Sequence, residues 1–233
     1  MRKVLLVLLV LVLAGAFGAD RFAESRAEAE IARQVAVQYR LTNEPAVSFG
    51  GFPFLTQALS GKYDSVDVAI GDYTDQGITL QDVDVRLEGL NAPLADLVNG
   101  DSSSLTADRA VASAVIPYGV VQKQLAARGV TSVSQSADGN VLAKGTYQAP
   151  IIGEVPIDLI VSLKVTAKGV AIVPEKVTAV GVQVPLAAVK DMFTYTIPIA
   201  GLPLGAKITA VSPVADGLRV TGEATNIPLD RAV

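Results

Sequence analysis

The chain has 233 residues, half of them hydrophobic, but aromatics make up only 5%, so Val, Leu, Ile and Ala must supply the core. It contains no histidine and no cysteine, which excludes Ser-His-Asp and Cys-His catalysis, histidine or cysteine metal sites and disulfides. The formal net charge is −4, and setting Arg2 and Lys3 aside leaves 17 basic against 23 acidic residues; without a basic cluster, neither nucleic-acid binding nor attachment to an anionic membrane through a basic patch is supported.

Met1-Arg2-Lys3 is followed by Val4 to Ala19, which carry no charge, and then by Asp20. A positive start and an apolar run are the pattern of a signal peptide or signal-anchor over residues 1–19. As a helix the run reaches about 24 Å, short of the ~30 Å hydrocarbon core. Ala14-Gly15-Ala16 fits a small-x-small cleavage site, so cleavage and retention both stay open. No lipobox cysteine is present. The positive-inside rule puts everything after Asp20 outside the cytoplasm, in the periplasm or envelope, either secreted or held at the outer face of the cytoplasmic membrane.

Ser25-Arg26-Ala27-Glu28 reads as a capping box, predicting a helix from there to about Tyr39. Ala27, Ile31 and Val35 form its apolar stripe, with Glu28, Glu30 and Arg33 off it. The stripe suits a helix covering an apolar opening or a helix packed on a sheet. Phe49-Gly50-Gly51-Phe52-Pro53-Phe54-Leu55 comes next and holds half of the six phenylalanines. Rings threaded through two glycines and a proline cannot all lie on a regular helix. Thr56 to Leu59 predict one helical turn closing at Gly61. Such a segment caps a core, lines a lipid-facing mouth or forms a membrane-touching tip.

Strands follow. Val66, Val68 and Ile70 alternate with polar or small residues; Ile78 and Leu80 then fall on even numbers, and Val83, Val85 and Leu87 on odd ones. The phase change near Gln81-Asp82 predicts a bulge or bend. Pro117 opens a helix with Tyr118, Val121 and Leu125 inward and Gly129 as C-cap, and Pro185 opens another with Leu186, Val189 and Phe193 inward. Val155, Ile157, Leu159, Val161, Leu163 and Val165 line one face of the clearest strand; a last strand carries Leu218, Val220, Gly222 and Ala224. Hairpin signals occur at Asp138-Gly139-Asn140, Lys168-Gly169 and Asp216-Gly217, and Asn99 to Ser104 read as a flexible loop. Without a Pro/Ser-rich linker, residues 20–233 read as one domain, of α+β class with long antiparallel strands.

Catalytic chemistry finds no support. Asp82, Asp84 and Glu88 share a strand face and suit a Ca²⁺ or paired-carboxylate site, but Arg86 on that side favours a solvated face. No EF-hand spacing, plausible Ser-x-x-Lys or phosphate loop appears, so the chain reads as non-enzymatic and without a cofactor.

Gly51-Phe52-Pro53-Phe54-Leu55-Thr56-Gln57, with Gly61-Lys62-Tyr63 and Val66-Asp67-Val68, resembles the LmeA-like family of actinobacterial envelope proteins. Leu202-Pro203-Leu204-Gly205-Ala206-Lys207-Ile208, Gly217-Leu218-Arg219-Val220 and Asn226-Ile227-Pro228-Leu229 extend the likeness over nearly the whole chain after the leader. The resemblance implies a phospholipid-binding envelope protein. By analogy its fold is TULIP-like, a long curved antiparallel sheet wrapped around helices with a lipid-holding groove. It leaves lipid transfer and support of envelope lipoglycan assembly open as roles. An acidic chain without a basic patch should hold lipid by its tails. The candidate contacts are Phe49, Phe52, Phe54, Leu55, Leu59, Ile31, Val35, Val121, Leu125, Leu159 and Val161. The implied partner is phospholipid acyl chains, with the membrane added through residues 1–19 if they are retained. The other reading is an envelope interaction module with a filled core.

Overall fold

In a computed structural model, the structure describes residues 2–75, 77–93, 96, 104–149, 153–166, 169–198 and 205–229. The expected loop residues 99–103, Lys168 of the second hairpin and Leu202-Pro203-Leu204 lie outside them.

Helix α1 runs unbroken from Arg2 to Gln38. The capping box at Ser25 therefore starts nothing, and Ser25 is an exposed residue in mid-helix. A capping signature marks a helix start only where the preceding residues are not already helical. Here the leader has no proline and passes directly into an Ala- and Glu-rich stretch of high helix propensity. The expected C-terminus near Tyr39 is correct.

The elements that follow are β1 (Ala46–Gly50), α2 (Phe54–Ser60), β2 (Lys62–Asp75), β3 (Ile78–Asn91), β4 (Thr106–Pro117), α3 (Tyr118–Leu125) with a 3₁₀ turn Ala126–Arg128, β5 (Val130–Gln135), β6 (Val141–Ala149), β7 (Gly153–Thr166), β8 (Gly169–Ala179), α4 (Leu186–Phe193), β9 (Tyr195–Pro198), β10 (Lys207–Val214) and β11 (Gly217–Pro228). The hydrogen-bonded orders are β1-β2-β3-β4-β11-β10 and β5-β6-β7-β8-β9. The class is α+β with long antiparallel strands, as the alternation in the sequence predicts.

Contacts divide the chain into two compact units: residues 1–71, 84–111 and 224–233 in one, and residues 72–83 and 112–223 in the other. The chain passes between them inside β2, β3, β4 and β11.

The second unit has the larger apolar cluster. Val155, Ile157, Leu159 and Val161 of β7 are buried, joined by Val141 and Ala143 of β6 and Ile172 of β8. Tyr118, Val121 and Leu125 of α3 and Val189 and Phe193 of α4 pack into the same cluster. Pro117 and Pro185 sit at the N-caps of these helices, just outside the first turn, and Gly129 closes the 3₁₀ turn with φ +80°. The Asp138-Gly139-Asn140 signal lies in the β5–β6 connection, and Asp216-Gly217 closes the β10–β11 hairpin at Val214↔Gly217. The Tyr118 hydroxyl donates to the Val214 carbonyl at 2.9 Å.

β3 bends at Asp82, where the phase change in the sequence predicts it. Asp82 has φ +46°, and beyond it Val83, Val85 and Leu87 are half-buried between exposed Asp82, Asp84 and Arg86. A second phase change escaped the sequence reading. In β11 the buried positions move from even to odd, from Ala224 to Ile227, across Asn226 at φ +52°. One residue in left-handed conformation inside a strand shifts the side-chain alternation by one.

Candidate functional site

The first unit is organised around the aromatic segment. β1 is the edge strand of its sheet and pairs with β2, placing Phe49 opposite Val66. Phe49 lies 4.9 Å from the Phe54 ring and 5.3 Å from the Tyr63 ring, while Phe54 and Tyr63 are 6.2 Å apart. Phe54, Tyr63, Val66 and Ala92 form a buried cluster, against which Ala23 and Ala27 of α1 pack. Aromatic pairs at such separations add about 0.5–1.5 kcal/mol beyond the area they bury.

Helix α2 begins at Phe54, two residues earlier than expected, with Pro53 at the N-cap and no side-chain cap of its own. Its first N–H groups are satisfied from α1 instead. The Asp20 carboxylate accepts from Phe54 N–H at 3.1 Å and from Leu55 N–H at 2.7 Å. It thereby fills two of the orphan donors of a helix start and lies at the positive end of the helix dipole. Asp20 is only 3% exposed and also pairs with Arg21 at 2.9 Å. Burial pushes its pKa up, but the Leu55 N–H, the Arg21 guanidinium and the Phe54 N–H together hold it below the usual carboxylate range. Eight residues along α1, Glu28 accepts the Phe49 N–H at 3.3 Å. Glu28 was expected off the packed stripe; it is half-buried because an edge-strand donor needs an acceptor on that side.

Gln57 closes the segment from within. Its amide donates to the Gly50 carbonyl at 3.1 Å and accepts from Asp64 N–H at 2.8 Å. Between these partners Gly51 takes φ +86°, and a Cβ there would collide with the Asp64 carboxylate and come within 2.8 Å of the Gln57 amide nitrogen. Gly61 ends α2 with φ +67°, as expected from its position, and its carbonyl accepts Ala92 N–H at 2.7 Å.

The candidate residues thus separate. Phe49 and Phe54 face the first unit's own core, with Ile31 and Val35 half-buried on α1. Phe52 is 61% exposed, Leu59 is 81% exposed and Leu55 lies near the surface. Phe52 turns instead to α1: its ring lies 5.8 Å from Phe17, and the Arg21 guanidinium is 5.2 Å from the Phe52 ring and 5.9 Å from that of Phe17. Val121, Leu125, Leu159 and Val161 belong to the buried cluster of the second unit.

The acidic strand face is occupied by ion pairs. Glu88 pairs with Arg86 at 3.3 Å and Arg109 at 3.2 Å, and Asp82 pairs with Arg219 at 3.2 Å. Two clefts among the described residues are polar. One of about 540 Å³ is lined by Lys62, Asp64, Asn91, Thr106 and Asp108, and one of about 300 Å³ by Asp72, Gln81, Asp82, Asp216 and Arg219.

Sequence reasoning missed Asp20 and Gln57. Asp20 was legible only as the first charge after the leader, and Gln57 only as a polar residue on a short helix. The LmeA-like phospholipid-binding family model matches residues 18–223. This chain belongs to that family. No curated protein and no solved structure matches it significantly. The matched span contains Asp20, the whole aromatic segment and nearly all of the strands, so the family assignment covers both units.

Proposed function

We propose that this member of the LmeA-like family is a non-enzymatic phospholipid-binding protein of the cell envelope that holds acyl chains in an apolar groove. The observation carrying this reading is the family match over residues 18–223. The chemistry is consistent with it. Leu159 and Val161 on the aliphatic face of β7 share one buried cluster with Val121 and Leu125 of the short helix α3. A tail entering between them gains about 0.8 kcal/mol for each methylene taken out of water. In the first unit, Ile31 and Val35 with the more exposed Leu55 and Leu59 offer further apolar contact. Recognition by tails suits an acidic chain, and lipid transfer or support of lipoglycan assembly on the outer side of the cytoplasmic membrane are the roles such a carrier would serve.

Native mass spectrometry of protein purified from a bacterial host is expected to show co-purified phospholipid, and labelled phospholipid should be taken up by delipidated protein. Protein that is consistently lipid-free and takes up no label overturns the reading. A specific observation favours the second reading, an envelope interaction module: Leu159 and Ile157 are 2% and 1% exposed and already fill their surroundings. That reading expects no uptake and no co-purified lipid.

A further inference from the structure

The N-terminal part of α1 presents apolar side chains on every side. Leu6 to Leu13 are each 53–65% exposed, and the helix contains an 18-residue window of mean hydropathy 2.0. A helix that is apolar all round belongs in hydrocarbon rather than in water. Where the apolar run ends, the surface changes character. Phe17 and Phe52 are in ring contact, both more than half exposed, with Arg21 over both rings. One turn on, exposed Phe22 carries the Arg26 guanidinium 5.1 Å from its ring centre. Exposed aromatic rings alternating with long cationic side chains are the composition of a lipid–water boundary, where rings sit at headgroup level and guanidinium groups snorkel outward.

We propose that Phe17, Arg21, Phe22, Arg26 and Phe52 form a collar seated at the outer lipid–water boundary of a phospholipid bilayer, with residues 4–19 retained as its anchor. The occupant follows from continuity: the collar is the direct extension of the exposed apolar helix. Lys3 and Arg21 lie about 27 Å apart along the helix axis. Snorkelling of Lys3 closes the remaining gap to a ~30 Å core, while Arg21 is held by Asp20 beside the two rings. Retention follows from Asp20. The helix passes through Ala16 and Ala19 without a break, and the next residue is buried and bonded to Phe54 and Leu55. A peptidase reads extended chain, whereas these exposed residues are helical and lead straight into a residue that is built into the fold. The collar requires no lipid inside the protein, so it stands or falls separately from the acyl-chain groove.

The chain has no tryptophan, so Phe52→Trp supplies a single indole at the collar and Val37→Trp one about 30 Å further along the same helix from Phe17. Both replaced residues are exposed, and circular dichroism checks that each variant is folded. Full-length chains are reconstituted into phosphatidylglycerol/phosphatidylethanolamine vesicles containing spin-labelled lipid. Emission from the Phe52→Trp variant should shift to the blue and be quenched more by a label near the glycerol than by one near the chain end. Emission from the Val37→Trp variant should be unshifted and unquenched. Water-like emission from vesicle-bound Phe52→Trp protein overturns the proposal, as does equal quenching of the two variants, which would mean that the chain lies flat. Intact mass of the envelope-extracted protein should include residues 1–19. A mass beginning after Ala16 or Ala19 overturns retention.

Discussion

The Asp20 carboxylate accepts the Leu55 N–H at 2.7 Å across 35 positions of sequence. A residue at the end of the apolar leader thereby caps the helix that follows the aromatic segment, and Phe54 N–H shares the same carboxylate. Asp20→Ala should lower the melting temperature clearly, because two helix-start donors lose their acceptor. Glu30→Ala, at an exposed position on the same helix, should change stability by less than about 0.5 kcal/mol. Thermal unfolding in detergent compares the two.

The pH dependence of that cap has a definite sign. The folded-state pKa of Asp20 is depressed, so the unfolded chain binds the proton more readily. Its stabilisation is complete above the ordinary carboxylate range and disappears as pH falls through the folded-state value. The melting-temperature difference between the native chain and Asp20→Asn should be largest near neutrality and shrink on acidification. A difference that grows towards acid would contradict the assigned hydrogen bonds.

Phe52 and Phe54, two residues apart, should respond oppositely. Phe54 is 5% exposed within the ring cluster, and Phe54→Ala should cost about 3–5 kcal/mol. Phe52→Ala removes only surface ring contacts and should cost less than about 1 kcal/mol. Urea unfolding measures both. Phe52→Asp should stay folded, whereas Phe54→Asp, with a carboxylate among buried rings, should not fold.

Gln57 holds both ends of the segment, on Gly50 and Asp64. Gln57→Ala should cost about 1–2 kcal/mol through the two lost hydrogen bonds. Gln57→Glu keeps the acceptor for Asp64 N–H and loses the donor to Gly50, so its urea midpoint should fall between those of the native chain and the alanine variant.

At the bend in β3, Asp82→Val places a β-branched residue at φ +46° and should cost about 1–2 kcal/mol. Asp82→Gly relieves the backbone and loses only a surface ion pair with Arg219, so it should stay within about 1 kcal/mol of the native chain. Equilibrium urea unfolding of the two variants checks the difference.

Where alternation was clear, the buried face of a strand could be read from the sequence, because alternation is a local property. The β7 series is buried from Val155 to Val161, and the turn after Pro117 buries the three residues its spacing names. The bend at Asp82 was legible for the same reason, as a change of phase between apolar residues. At Asn226 the alternation breaks within three residues of the strand end, too few to display a new phase.

The sequence by itself determined the absent chemistries, the apolar leader, the α+β class and the family, because composition, periodicity and a motif are carried along the chain. Tertiary structure decided the fate of the aromatic segment. Phe54 points into the core and Phe52 out beside Phe17 because Asp20, Glu28 and Gln57 bind the backbone on either side of Pro53. The bonds from Asp20 and Glu28 join positions 21 to 35 apart in sequence, and the pattern around Phe52 carries no trace of them. They also tie the end of the apolar run to the fold, through a carboxylate whose local context shows only that the run has ended.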